Sequence, residues 1–177
     1  MADPGEACDD GNDVDGDGCS ANCKNVNGNP ASALQCPGQP VHLWADGDVV
    51  EGKGSTDSTK LIGAKNTFNT VAQNCLFAGP GNDLRGNDHV YDLVAHGAGD
   101  LLVSFTNLTY DARATTWTTC DPALESAYDQ CAGDQTASGA PFELPIVSLT
   151  DGQHYTVVVD GATEAGDYTV QFLFAAP

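Results

Sequence analysis

The chain has 177 residues, with 25 acids against 6 bases and a formal charge of −19. A field of that sign repels phosphate backbones, which excludes nucleic-acid binding, and no apolar run reaches the roughly 18 residues that would read as a membrane span. Asp outnumbers Glu heavily and Gly is abundant, a balance that disfavours helices and favours turns, loops and oxygen-rich cation sites.

Residues 1–24 contain almost no core material, since Val14 is the only large aliphatic side chain. A segment this poor in apolar groups needs staples to offset its chain entropy. Residues 25–35 (NVNGNPASALQ) read as a loose linker. From Cys36 to residue 177 the pattern changes to short β-rich runs separated by turn clusters. The runs are residues 40–45, 48–54, 89–95, 101–107, 112–119, 142–149, 154–161 and 167–174. In the last of them Tyr168, Val170, Phe172 and Phe174 share one face, with strand period. The Val157–Val159 run predicts a strand buried on both faces. Only 121–132 reads as a helix, with Asp121 as cap and Pro122 at its start. The predicted architecture is mainly β: a small disulfide- and calcium-stapled repeat, then an antiparallel, jelly-roll-like β-sandwich.

Seven cysteines are present, Cys8, Cys19, Cys23, Cys36, Cys75, Cys120 and Cys131. Cys19 and Cys23 have no second thiolate pair or nearby His, so disulfides in an oxidising compartment are favoured over zinc. Cys120 and Cys131 flank the expected helix and are expected to pair locally. Cys36 and Cys75 would then clip the first strands of the sandwich to the loop before Asp88. One further pair is expected among Cys8, Cys19 and Cys23. The odd count leaves one cysteine either as a free thiol or short of a partner outside the chain.

The densest local chemistry is Asp9, Asp10, Asn12, Asp13, Asp15 and Asp17, threaded with glycines. Hard oxygens crowded in a flexible loop suit calcium, which takes six to eight of them. The alternative is a solvated acidic turn held by disulfides. Asp13, Asp15, Asp17 and Gly18 match the opening of an EF-hand loop, but the twelfth position is Lys24, where a bidentate Glu is required. A weaker second calcium site is expected at Asn82, Asp83, Asn87 and Asp88, against the alternative of a plain surface loop.

The stretch GEACDDGNDVDGDGCSANC resembles the cysteine-rich repeat common in secreted proteins of myxobacteria. Gly5, Glu6, Cys8, Asp9, Asp10, Gly11, Asn12, Gly16, Asp17, Gly18, Cys19, Ser20 and Cys23 carry the likeness. The resemblance implies an extracellular spacer or interaction repeat, and an upstream cysteine that usually precedes the motif and is absent here. Residues 36–174 resemble, more faintly, the bacterial pre-peptidase C-terminal domain. That likeness rests on Asp88, His89, Val90, Tyr91, Asp111, Tyr155, Asp160, Gly161, Gly166 and Tyr168. It implies a β-sandwich accessory to exported enzymes, non-catalytic, with relatives that bind collagen, polysaccharide or calcium.

Asp160-Gly161 and Gly166-Asp167 read as turn chemistry. His42, His89, His96 and His154 lie in no GxSxG or HExxH context, so no catalytic residue is assigned. Trp44, Trp117, Tyr110 and Tyr128 are either core aromatics or a ligand-stacking face, with Tyr110 and Tyr128 the better candidates for exposure. The expected function is a non-catalytic, secreted or cell-surface accessory module with structural calcium. Its expected partners are the other domains of a larger secreted protein, with extracellular polysaccharide or protein as the alternative ligand and an enzyme fragment as the third reading.

Overall fold

The computed structural model describes residues 2–9, 11–12, 14–15, 17–60, 62–63, 67–68, 86–123, 127–133, 139–161 and 164–177. Ten strands follow in chain order: β1 Val26–Asn27, β2 Gln39–Trp44, β3 Asp46–Ser55, β4 His89–His96, β5 Gly99–Thr106, β6 Ala112–Trp117, β7 Tyr128–Gly133, β8 Phe142–Leu149, β9 His154–Gly161 and β10 Asp167–Ala175. One sheet has the order β1-β3-β10-β5-β8, the other β2-β4-β9-β6-β7. The β-sandwich expectation holds. The purely antiparallel, jelly-roll-like detail is corrected, because β1 runs parallel to β3 and β2 parallel to β4. Both sheets are therefore mixed.

Binary pattern explains the two layers. On β10, Tyr168, Val170, Phe172 and Phe174 are buried while Gln171 between them is exposed. They meet Val103 and Phe105 of β5 and, from the other sheet, Tyr91 and Leu93 of β4, Val157 and Val159 of β9, and Val41 and Leu43 of β2 in one core cluster. The opposite face of the second sheet carries its own small cluster. Val90, Trp117 and Val158 there pack with Phe68 and Ala127, and half-buried Cys36 and Cys120 lie against them. Central strands β4 and β9 are thus covered on both sides, which is why 154–161 reads as a continuous apolar run rather than an alternating one.

The helix expected over 121–132 is replaced, in its described part, by a turn and then β7, which pairs antiparallel with β6. Sheet pairing with Thr115 and Thr116 outweighs a helix of barely three turns with only a cap to favour it. This changes the disulfides. The structure joins Cys36 to Cys120 across 84 residues and Cys8 to Cys19 across 11. The expected pairings Cys36 with Cys75 and Cys120 with Cys131 are both overturned by the Cys36–Cys120 bond. Cys131 lies opposite Thr115 within the sheet, while Cys120 lies beyond the end of β6 and reaches Cys36 over the small second cluster. Cys131 is itself disulfide-bonded. Cys75 lies outside the described residues.

The first 35 residues contribute to the same packing. Ala7, Cys8, Cys19 and Val26 are buried in the main core cluster, and Val26 sits opposite Gly52 of β3. The His42 amide donates to Ala7 O at 2.7 Å, and Trp44 Nε1 donates to Glu6 O at 2.9 Å. These contacts cover the free edge of β2, which would otherwise expose unpaired backbone.

Buried Gln39 ties the two parts together. Its Nε2 donates to Gly18 O at 2.7 Å, and its Oε1 accepts from His89 Nε2 at 3.0 Å. The His89 ring is fully buried, and burial pushes its pKa down to about 3, so it folds neutral. The unfolded chain takes up that proton below about pH 6.5. Stability tied to neutral His89 is therefore complete above about 6.5 and is lost as pH falls toward 3. Gln39→Ala orphans a buried N–H and an acceptor at once, and is expected to cost about 1–3 kcal/mol in urea unfolding at pH 7. An unchanged midpoint would show that this bridge contributes nothing.

Candidate cation sites

Among the described members of the N-terminal acidic set, Asp9, Asn12, Asp15 and Asp17 are all exposed. Their oxygens are engaged by the loop itself. Gly11 N–H donates to Asp9 Oδ1 at 3.0 Å and Val14 N–H to Asn12 Oδ1 at 2.7 Å, both Asx-type turns. Ala21 N–H donates to Asp15 Oδ1 at 2.9 Å, and Asn12 Nδ2 to Asp17 Oδ2 at 3.1 Å. Asp10 and Asp13 lie outside the described residues. The donor set has the hard oxygens that calcium takes, but the placed ones serve turn geometry. No group of three or more His, Cys, Asp or Glu suited to a metal ion occurs among the described residues.

The second expected site lands differently. Asn82 and Asp83 lie outside the described residues. Asn87 Nδ2 donates to Thr56 O at 3.1 Å. Asp88, just before β4, is 0% exposed. Its Oδ2 accepts from the Thr67 and Phe68 amides. Beside it lies Asp160 near the end of β9, 3% exposed, its carboxyl meeting that of Asp88 beneath the Gly86 and Gly161 amides. Burial, followed by the neighbouring Asp88 charge, pushes Asp160 up to about 8, and burial likewise raises Asp88. Two carboxyls in one dry site cannot both ionise unaided. They hold a proton between them or take a cation, for which the two facing carboxylates would be the first ligands.

The chain passes tightly over this pair. A Cβ on Gly86 would stand 2.5 Å from Asp160 Oδ1 and 2.6 Å from Gly161 O, and the Gly86 amide donates to that same carbonyl at 2.8 Å. Gly86→Ala must displace backbone or the acid pair, and is expected to cost about 1–3 kcal/mol. Equilibrium denaturation checks this; a loss below a few tenths would mean the loop shifts freely. Register places Arg113 of β6 opposite Asp160, where its Nη2 pairs with Asp111 Oδ2 at 2.9 Å.

Sequence reasoning assigned Asp88 to a site but read Asp160 as a turn residue. The available signal was an acid directly after the Val157–Val159 run, inside a strand expected to be buried on both faces. The aromatic readings divide. Trp117 and Tyr110 are buried, at 0% and 1% exposure, which removes both from any ligand-stacking face and corrects the expected exposure of Tyr110. Trp44 is half-buried. The side chain of Tyr128 lies outside the described set.

Among solved structures, the chain is similar to the pre-peptidase C-terminal domain of a collagenase from Bacillus anthracis, with 14% identity and a TM-score of 0.39 over 76% of this chain and 94% of that one. No family model matches the chain, and no curated protein matches it.

Proposed function

We propose that this chain is a non-catalytic accessory module of a secreted or cell-surface protein, a β-sandwich stabilised by disulfides and by bound calcium. It serves as spacer, stabiliser or attachment domain for its parent protein. The observation that carries the reading is the buried, facing Asp88–Asp160 carboxyl pair. Such a pair destabilises the bare fold near neutral pH and becomes an asset once a divalent cation neutralises it. The disulfides support an oxidising, extracellular setting. Asp9, Asp10, Asn12, Asp13, Asp15 and Asp17 are the proposed ligand set of a second, more exposed calcium site in the N-terminal repeat.

Calorimetric titration of calcium into chelator-stripped protein at pH 7.5 tests the reading. Binding is expected, and Asp160→Asn is expected to remove one class of site while leaving the other. No heat at millimolar calcium, or binding indifferent to Asp160→Asn, counts against calcium at the buried pair.

One observation favours a second reading, a binding module for a polyhydroxylated ligand such as polysaccharide. A cleft of about 930 Å³ lies between the N-terminal segment and the β1-β3-β10 edge, lined by Asn22, Asn25, Asn29, Lys53, Asn107 and Asp167 among others. Amides and charges of this kind match sugar hydroxyls. A pull-down on insoluble polysaccharides that retains the wild type and loses Asn25→Ala would favour this reading over a pure spacer.

A further inference from the structure

Three of the chain's four histidines share the outward face of the second sheet. His42 is on β2, His96 on β4 and His154 on β9; His42 and His154 flank Val94 in register, and Trp44 stands opposite His96. This is the opposite end of the face from Asp88 and Asp160. His42 Nδ1 and His96 Nε2 face each other at 2.8 Å. We propose that His42 and His96 form a two-imidazole binding site for a divalent transition-metal ion of tetragonal preference, of the Cu²⁺ or Ni²⁺ kind.

The ligand chemistry sets the metal class. The 2.8 Å separation is that of a hydrogen-bonded imidazole pair, so both nitrogens are within a small ring rotation of one ion. Imidazole nitrogens suit first-row divalent ions, and affinity along that row peaks at Cu²⁺, with Ni²⁺ next to it. Calcium takes oxygen ligands, so this site is independent of the calcium reading.

Both rings are held in place. His96 stacks on Trp44 with centroids 4.1 Å apart and planes 10° apart, and the Trp44 indole is anchored by its hydrogen bond to Glu6 O. His42 stacks on His96 at 5.1 Å, and its amide is fixed to Ala7 O. Side-chain order paid in folding is not charged again at binding. Asp92 lies close enough to act on His42 electrostatically. Asp92 also holds His154 Nδ1 at 3.0 Å. Without an ion, one proton lies between the facing nitrogens. On binding it moves to the distal nitrogen of its own ring, so both facing lone pairs turn to the metal with no net proton released. Water fills the remaining positions, because no third such ligand completes the group among the described residues.

The test uses the full chain, chelator-treated and then kept in excess calcium so that carboxylate sites are filled. Cu²⁺ is titrated while tryptophan fluorescence is read. Trp44 lies against His96 and is quenched at one equivalent; Trp117, in the second cluster, keeps its emission. The Cu²⁺ electron paramagnetic resonance spectrum is expected to show two equatorial nitrogens. His42→Gln is expected to weaken binding at least about tenfold, the scale on which even outer-shell partners act. His154→Gln leaves it unchanged. Absence of quenching at millimolar Cu²⁺, a spectrum without nitrogen coupling, full affinity in His42→Gln, or an equal loss in His154→Gln each overturns the proposal.

Discussion

Replacing Cys36 and Cys120 together by Ser is expected to lower the unfolding free energy by about 3–5 kcal/mol, the largest loss from any single cross-link described here. The bond spans 84 residues, and the chain-entropy relation gives about 4.5 kcal/mol for a loop of that length at 25 °C. The same relation gives about 2.8 kcal/mol for the 11-residue span of Cys8–Cys19. Location adds to the difference. Cys36 and Cys120 close over Phe68, Trp117 and Val158 on the outer face of the second sheet, so opening the bond loosens a packed patch as well as the unfolded chain. Urea unfolding of both double variants checks the order. Equal losses from the two would remove the loop-length argument. Peptide mapping without reduction that joins Cys36 to Cys75 would overturn the connectivity itself.

Asp160→Asn is expected to stabilise the chelator-treated protein at pH 8 and to do nothing at pH 4. Folded Asp160 is pushed up to about 8 by burial and by Asp88, whereas the unfolded chain titrates near pH 4. The folded state therefore holds a proton that the unfolded state releases. Stability tied to that proton is complete below about pH 4 and is lost as pH rises toward about 8. The gain from Asn at pH 8 is on the order of a few kcal/mol, because Asn keeps the site neutral without needing the proton. Calcium reverses the comparison. With the ion present the wild type regains stability at pH 8, and the Asn variant, short of a ligand, gains less. A wild-type stability flat from pH 5 to 8 in chelator would contradict the buried pair as the source.

The sandwich was legible because its strands carry clean period-two patterns. Tyr168, Val170, Phe172 and Phe174 mark the buried face of β10 without further information, and the Val157–Val159 run marks a strand covered on both sides. What local pattern could not supply was partnership. The residues from Asp121 to Ala132 look helical on capping and composition, yet β6 offers an edge and β7 takes it. Once that segment is a strand, Cys131 is drawn into the sheet and Cys120 pairs elsewhere, so one missed strand rewrote the disulfides. The parallel pairings of β1 and β2 are likewise invisible in a chain read locally.

The cation chemistry divides in the same way. The acidic cluster at Asp9–Asp17 is obvious in sequence, but density of charge does not distinguish turn-forming carboxylates from ligands, and the placed oxygens there accept backbone N–H groups. Asp88 and Asp160 are 72 positions apart in sequence and meet only because β4 and β9 are neighbours. That pairing, together with β2 beside β4, puts His42, His96 and His154 on one face, although no motif in the sequence groups them.

The central claim is that a divalent cation on the buried acid pair turns a liability into a stabiliser. Its most direct test is the melting temperature of the chelator-stripped chain at pH 8, measured with and without calcium at about a hundred times its dissociation constant. A rise of about 5–10 °C from the buried site is expected, from roughly 2.7 kcal/mol of binding linkage in a chain of this size, and Asp160→Asn should remove that share of the rise. An unchanged melting temperature, or an equal rise in Asp160→Asn, would contradict the account.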